Sequence, residues 1–136
     1  MGMLNKKITC LIDDDTIYLF GMRKLIQNQQ LCDKVLEFHN GQQAIDFLLE
    51  YKHDSIELPD VIFVDINMPV MNGWEFVEAF IKLRPSISKK ITLYMISSSV
   101  NAEDIERAKS LSAISDYIIK PMTGVRLKEI FEKGAA

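Results

Sequence analysis

Short, continuous apolar runs recur along the chain, and they predict buried strands. Runs of this length without polar alternation are typical of strands that are covered on both faces, as in a parallel sheet. A fifth and more mixed segment, Lys34–Phe38, is expected nearer an edge of that sheet. The four strong runs are Ile8–Ile12, Val61–Val64, 91–96 and 117–119.

The segments between these runs carry apolar residues at helical spacing, so strand and helix alternate along the chain. Parallel neighbouring strands need crossover connections, and these are right-handed. The pattern therefore predicts an α/β fold, a parallel sheet wrapped by helices. The helical stripes are Leu19, Met22, Leu25 and Ile26; Ala44, Phe47 and Leu48; Phe76, Val77 and Phe80; Ile105 and Ala108; and Val125, Leu127, Ile130 and Phe131.

Polar residues follow each strong run at the point where the predicted strand ends. In an open α/β sheet, ligands bind in the crevice beyond the carboxyl ends of the strands. We therefore expect a single site at this edge. The residues are Asp13, Asp14 and Asp15 after the first run, Asp65 after the second, Ser97 after the third and Lys120 after the fourth.

The acidic residues of this group predict a divalent-cation site. Asp13, Asp14 and Asp65 would repel one another and raise one another's pKa unless a cation intervenes. Oxygen ligands, few in number and with room for water, suit Mg²⁺, which also binds phosphate. Asp14 and Asp65 are the direct-ligand candidates, Asp13 acts directly or through water, and the main-chain carbonyl of Asn67 supplies a further ligand.

The same edge predicts phosphoryl chemistry. Lys120 and Ser97 would bind the oxygens of a phosphoryl group, one as a point charge and the other as a hydrogen-bond donor. The Asp65 carboxylate is then the candidate nucleophile for in-line attack on a phosphoryl donor. Pro69 would shape the loop that leaves this carboxylate accessible.

The motifs around these residues resemble those of the receiver domain of two-component response regulators. The similarity covers nearly the whole chain, and the order and spacing of the motifs agree with that family. The matching motifs are LIDDD at 11–15, VDINMPVMNGWEF at 64–76, MISSS at 95–99 and DYIIKP at 116–121.

The resemblance implies a flavodoxin-like sheet of five strands in the order 2-1-3-4-5 with five helices. It implies Asp65 as phospho-acceptor, Asp13 and Asp14 as the acidic pair, Lys120 as the active-site lysine, and Ser97 and Tyr117 as the switch hydroxyl and switch aromatic. It also implies a histidine kinase or histidine phosphotransfer protein as donor and an unidentified downstream protein as target. The expected role is signalling and not enzymatic, with the domain assisting its own phosphorylation and dephosphorylation.

Two other functions compete with this one. A phosphohydrolase of the haloacid dehalogenase type would use Asp13 as nucleophile, but Ile17 stands where threonine or valine is expected. Only residues 123–136 follow the last strand, which leaves no strand for the late acidic motif of those enzymes. The other alternative is a receiver-like interaction module that takes no phosphate. Binding of a phosphate analogue with Mg²⁺ would separate that module from a true receiver.

Length, charge and cysteine content indicate the number of domains, the classes of partner and the location of the protein. At 136 residues we expect one receiver domain over 1–136, with its core at about 6–133 and no separate output domain. A net charge of −3 and a pI near 5.4 give no reason to expect a nucleic-acid or membrane partner. Cys10 and Cys32 lack metal-ligand spacing and are expected to be reduced. With no apolar segment of membrane-spanning length and no signal-peptide pattern at the start, the expected location is the cytoplasm.

Several polar residues near the motifs have simpler interpretations. Asp15 is expected to cap the helix that begins near Thr16. His39 and His53 are expected on the solvated surface. The connection 51–59 is expected to be an exposed polar loop.

Overall fold

The computed structural model describes residues 7–135 and forms a five-stranded parallel sheet in the order β2-β1-β3-β4-β5. This confirms the predicted topology, with β2 at an edge. The expectation of no signal peptide at the start of the chain concerns residues largely outside this range. The strands are β1 Ile8–Ile12, β2 Lys34–Phe38, β3 Val61–Val64, β4 Thr92–Ser97 and β5 Ile114–Ile119. The helices are α1 Thr16–Asn28, α2 Gly41–Glu50, α3 Gly73–Leu83, α4 Ala102–Ser110 and α5 Gly124–Ala135, with a short 3₁₀ helix at Arg84–Ser86.

Two apolar clusters cover the two faces of the sheet. One cluster joins the strands to α2, α3 and α4, and the other joins them to α1 and α5. Successive strand residues point to opposite faces, so Ile62 and Val64 enter the first cluster while Val61 and Phe63 enter the second. This double coverage explains why the central strands β1, β3 and β4 read as largely apolar runs. Among residues 7–135, no helix has the length and apolar character needed to cross a membrane.

The helices that border the site begin at side-chain caps. The Asp15 carboxylate accepts hydrogen bonds from the main-chain N–H groups of Ile17 and Tyr18, both at 3.1 Å, which confirms its predicted capping role. At the start of α3, Asn72 and Glu75 form a reciprocal capping box, each side chain accepting from the other's main-chain N–H at 2.9 Å. These caps fix where each helix begins relative to the preceding strand.

Two strand predictions were wrong at their boundaries. The fourth strand is Thr92–Ser97 and not 91–96, so Ser97 is its last residue. The fifth begins at Ile114 and not at 117. Its early residues Ser115 and Asp116 are exposed because β5 lies at the sheet edge, and this polar pair hides the strand from a search for apolar runs.

Two burial predictions were also wrong. Val125 was expected on the buried stripe of α5 but is 72% exposed. The helix buries the stripe at Leu127, Ile130 and Phe131, and position 125 lies on the other side of that stripe. The loop 51–59 was expected to be exposed, yet Leu58 is fully buried and belongs to the cluster on the α2 and α3 face.

Candidate functional site

The ends of four strands converge on one edge of the sheet, as the sequence predicts. Main-chain bonds extend the strand pairing past the last strand residues and fix the site residues in space. The N–H of Asp13 donates to the carbonyl of Phe38 at 3.0 Å, and that of Asp65 donates to the carbonyl of Ile12 at 3.0 Å. The N–H of Lys120 donates to the carbonyl of Ser97 at 2.9 Å.

Three carboxylates meet at this edge. One oxygen from each of Asp13, Asp14 and Asp65 lies within 4.8 Å of the others. Asp13 and Asp65 are buried, at 2% and 6% exposure, while Asp14 faces solvent. The cluster is therefore open on one side and closed on the other.

Lys120 is the cation of the cluster. Its Nζ lies 2.7 Å from Oδ2 of Asp13 and 3.6 Å from Oδ1 of Asp65. The same ammonium lies 4.0 Å from the centroid of the Tyr18 ring, which is the geometry of a cation–π contact. The second oxygen of Asp13 accepts the N–H of Asp15 at 2.9 Å, so the Asp13 carboxylate is held from both sides.

The carboxylates of the cluster carry more negative charge than the Lys120 ammonium neutralises. Burial and the neighbouring Asp13 carboxylate raise the pKa of Asp65 to about 6, and Lys120 offsets this only in part. One ammonium therefore does not neutralise three carboxylates. Oxygen-only donors that repel one another at a partly open edge fit a hard divalent cation such as Mg²⁺.

Ser97 and Tyr117, the predicted switch residues, are both hydrogen-bonded to the loop after β4. Ser97 is fully buried, and its hydroxyl oxygen accepts the N–H of Ser99 at 3.2 Å. The Tyr117 hydroxyl donates to the main-chain carbonyl of the same Ser99 at 2.9 Å. The structure therefore links both predicted switch residues to one point in the loop after β4, and no described hydrogen bond joins Ser97 to the carboxylates.

The loop after Asp65 is tightly folded against its own strand. Pro69 accepts the N–H of Met71 at 2.8 Å, which places Val70 at the centre of a three-residue turn with a φ of 69°. The N–H of Gly73 donates to the carbonyl of Ile66 at 2.8 Å, which closes the loop. Asn67, the predicted main-chain ligand, is exposed on this loop.

Gly73 is required by this closure. A Cβ at this position would lie 2.3 Å from the main-chain oxygen of Asp65 and 2.8 Å from the Cα of Ile66. Alanine would therefore have to displace the start of α3 from the main chain that follows β3. We expect Gly73→Ala to lower the free energy of unfolding by about 1–3 kcal/mol.

Gly21 provides a matched control within α1. A Cβ there meets nothing within 4 Å, so Gly21→Ala removes only the cost of a helical glycine. This substitution should raise the free energy of unfolding by about 0.5–1 kcal/mol. Urea titration of both variants checks the pair, and equal effects of the two substitutions would contradict the close approach at Gly73.

Sequence reasoning missed one side chain of the site. Tyr18 was not singled out, although it is an aromatic residue in the first turn of the helix that follows Asp13. A helix starting beside the strand ends points its first-turn residues either toward the site or away from it. The predicted cap at Asp15 fixes where α1 begins, and therefore which of its first-turn side chains point toward the site. The sequence thus contained the information needed to find Tyr18.

Comparisons with known proteins agree with this geometry. The family model for the response regulator receiver domain matches residues 9–132. The nitrate/nitrite response regulator protein NarL of Escherichia coli K12 is 33% identical over 93% of this chain, which spans 53% of NarL. The chemotaxis protein CheY of Listeria monocytogenes is 29% identical over 92% of this chain and 96% of its own length.

A solved structure supports the same assignment. The two component response regulator from Cytophaga hutchinsonii superposes with a TM-score of 0.85 at 29% identity, covering 96% of this chain and 98% of that one. The haloacid dehalogenase alternative is not favoured by these matches. The chain belongs to the receiver domain family of two-component response regulators.

Proposed function

We propose that Asp65 accepts a phosphoryl group, and that this modification controls binding of a partner protein. The observation that carries the proposal is the meeting of three carboxylates within 4.8 Å, with the ammonium of Lys120 placed 3.6 Å from Asp65. A buried carboxylate beside an ammonium, at the partly open edge of a parallel sheet, suits nucleophilic attack on a phosphoryl donor.

Phosphoryl transfer to Asp65 forms one bond to phosphorus and breaks another. An oxygen of the ionised Asp65 carboxylate forms a bond to phosphorus, while the bond from phosphorus to the donor atom breaks. The leaving group, an imidazole nitrogen of a phosphohistidine or the acetate of acetyl phosphate, keeps the electron pair of that bond. The product is an acyl phosphate on Asp65. Lys120 is the residue that meets the phosphoryl oxygens as charge develops on them.

Mg²⁺ is the proposed cofactor, because the donor set fits it. Asp13, Asp14 and Asp65 supply carboxylate oxygens, and the main-chain carbonyl of Asn67 is the proposed further ligand. When bound, Mg²⁺ neutralises the carboxylates and the phosphoryl oxygens. The raised pKa of Asp65 is consistent with this assignment: burial is its largest cause and repulsion by Asp13 the next, and a bound cation would favour the ionised carboxylate against both.

Ser97 and Tyr117 are the proposed switch. Both are tied to Ser99 through the contacts described above. A phosphoryl group on Asp65 would draw the Ser97 hydroxyl away from the Ser99 N–H. The loop after β4 would then move, and Tyr117 with it. Such a shift in a pre-existing equilibrium is how a local charge change alters a docking face.

The proposed partners follow from the family. A histidine kinase or a histidine phosphotransfer protein donates the phosphoryl group, and a downstream protein recognises the switched face. We propose that the chain acts as a single receiver domain that assists its own phosphorylation and dephosphorylation and has no other enzymatic activity. The free thiols of Cys10 and Cys32 support a cytoplasmic location.

Intact-mass spectrometry after incubation with acetyl phosphate tests this function. We expect the mass of one phosphoryl group to be added when Mg²⁺ is present, and no addition when the metal is chelated. Absence of an adduct with Mg²⁺ would instead favour the receiver-like module that takes no phosphate.

A further inference from the structure

Tyr18 contributes an aromatic wall to the site. It lies in the first turn of α1, where its main-chain N–H donates to the Asp15 cap at 3.1 Å. Its ring packs against the apolar cluster formed with α1 and α5 and presents a face to Lys120, with 4.0 Å between the ring centroid and Nζ. The site therefore has an apolar surface directly beside its only described ammonium.

The hydroxyl of Tyr18 makes no described hydrogen bond to the site. This oxygen is buried and has no hydrogen-bond partner among residues 7–135. Burial first, and then the carboxylates of Asp13 and Asp65, raise the pKa of Tyr18 well above its ordinary value, so the phenol stays neutral. The contact that Tyr18 makes with the site is therefore through its ring.

The ring restricts where the lysine ammonium can go. A lysine has a flexible four-carbon stem, and its ammonium can meet several acceptors in turn. Here the ammonium of Lys120 has Asp13 at 2.7 Å, Asp65 at 3.6 Å and the face of Tyr18 on a further side. The Lys120 ammonium therefore lies between the two buried carboxylates and the Tyr18 ring.

We propose that Tyr18 is a positioning residue for phosphoryl transfer, whose ring holds the Lys120 ammonium where the phosphoryl oxygens arrive. The proposal rests on the proposed acceptor role of Asp65. It assigns the effect to the ring, and the hydroxyl is not needed. Replacement by phenylalanine should therefore preserve the function, whereas replacement by leucine should impair it.

The rate of adduct formation with acetyl phosphate tests the assignment. We expect Tyr18→Leu to slow phosphorylation roughly tenfold at saturating Mg²⁺, a loss that lies between those expected for exposed and for fully desolvated cation–π contacts. Tyr18→Phe should stay within about twofold of the wild type, since the π face remains. Phe20→Leu is the matched control, because Phe20 is an exposed aromatic residue of the same helix that lies near Arg23 and Lys24. It should leave the rate unchanged.

A double-substitution cycle tests whether the ring of Tyr18 and the ammonium of Lys120 are energetically coupled. In urea unfolding, Tyr18→Leu and Lys120→Met should be non-additive, since each removes the same contact. Tyr18→Phe and Lys120→Met should be additive. Additivity of the leucine pair would overturn the proposal.

The outcomes also distinguish this proposal from the proposed function. If the wild-type protein forms no adduct with Mg²⁺, the acceptor role of Asp65 fails. If the wild type is phosphorylated and the leucine variant keeps the wild-type rate, only the role of Tyr18 fails. Equal losses in the leucine and phenylalanine variants would assign the effect to the hydroxyl and overturn the ring assignment.

Discussion

Asparagine in place of Asp65 is expected to abolish the phosphoryl adduct and, in metal-free protein at pH 7, to raise the free energy of unfolding by about 1–3 kcal/mol. The amide keeps the shape of the carboxylate but is not a nucleophile. It also removes a charge that burial and, to a smaller extent, repulsion by Asp13 disfavour, which together raise the pKa of Asp65 to about 6. Intact-mass spectrometry and urea titration measure the two effects.

Asp60→Asn is the matched control for this experiment. Asp60 precedes the same strand, β3, at the opposite end from Asp65. Its carboxylate accepts the N–H of Ile8 at 2.8 Å and lies 3.2 Å from Nζ of Lys89, so its charge is favourably paired. This variant should lower stability and leave phosphorylation unchanged. If Asp65→Asn also lowered metal-free stability, the inferred repulsion among the carboxylates would be contradicted.

Mg²⁺ is expected to stabilise the fold at pH 7, by about 2.7 kcal/mol at a concentration of 100 times its dissociation constant. Folding brings Asp65 to the neighbouring pair Asp13 and Asp14, from which it is far removed along the unfolded chain, so the ion binds the folded state preferentially. Thermal unfolding with and without Mg²⁺ measures the effect, with NaCl at matched ionic strength to account for screening. An unchanged midpoint at pH 7 would count against the site.

The stabilisation of the fold by Mg²⁺ is expected to increase as pH rises, because Asp65 loses its proton. The pKa of Asp65 is about 6 in the folded protein against an ordinary 3.8, so the native state binds that proton more tightly than the unfolded chain does. The contribution of Asp65 to metal-free stability therefore falls as pH rises from about 4 to about 6 and stays low above that range. Mg²⁺ should offset this loss above pH 6 and have little effect near pH 4, where Asp65 is protonated. Asp65→Asn should flatten this part of the pH profile.

The sequence predicts the fold and the meeting of the site residues because both follow from strand order. Unbroken apolar runs mark β1 and β3 at their observed bounds, and parallel strands necessarily bring their carboxyl ends to one edge. Asp13 and Asp65 follow those two strands directly, and the structure places them together. Their roles in phosphoryl transfer stay predictions until the adduct is measured.

Other features depend on tertiary context that periodicity does not record. The first half of β5 is polar because it lies at the sheet edge, and Leu58 is buried only because the loop end folds under the α2 and α3 face. The clash that excludes a side chain at Gly73 involves the backbone of another segment, which no local pattern shows. The Ser97 hydroxyl accepts the N–H of Ser99, a contact that depends on how the loop after β4 folds back.

Peptide mapping of the adduct formed with acetyl phosphate and Mg²⁺ tests the central claim most directly. We predict that the phosphoryl group lies on Asp65. An adduct on Asp13 or on any other residue would contradict the account.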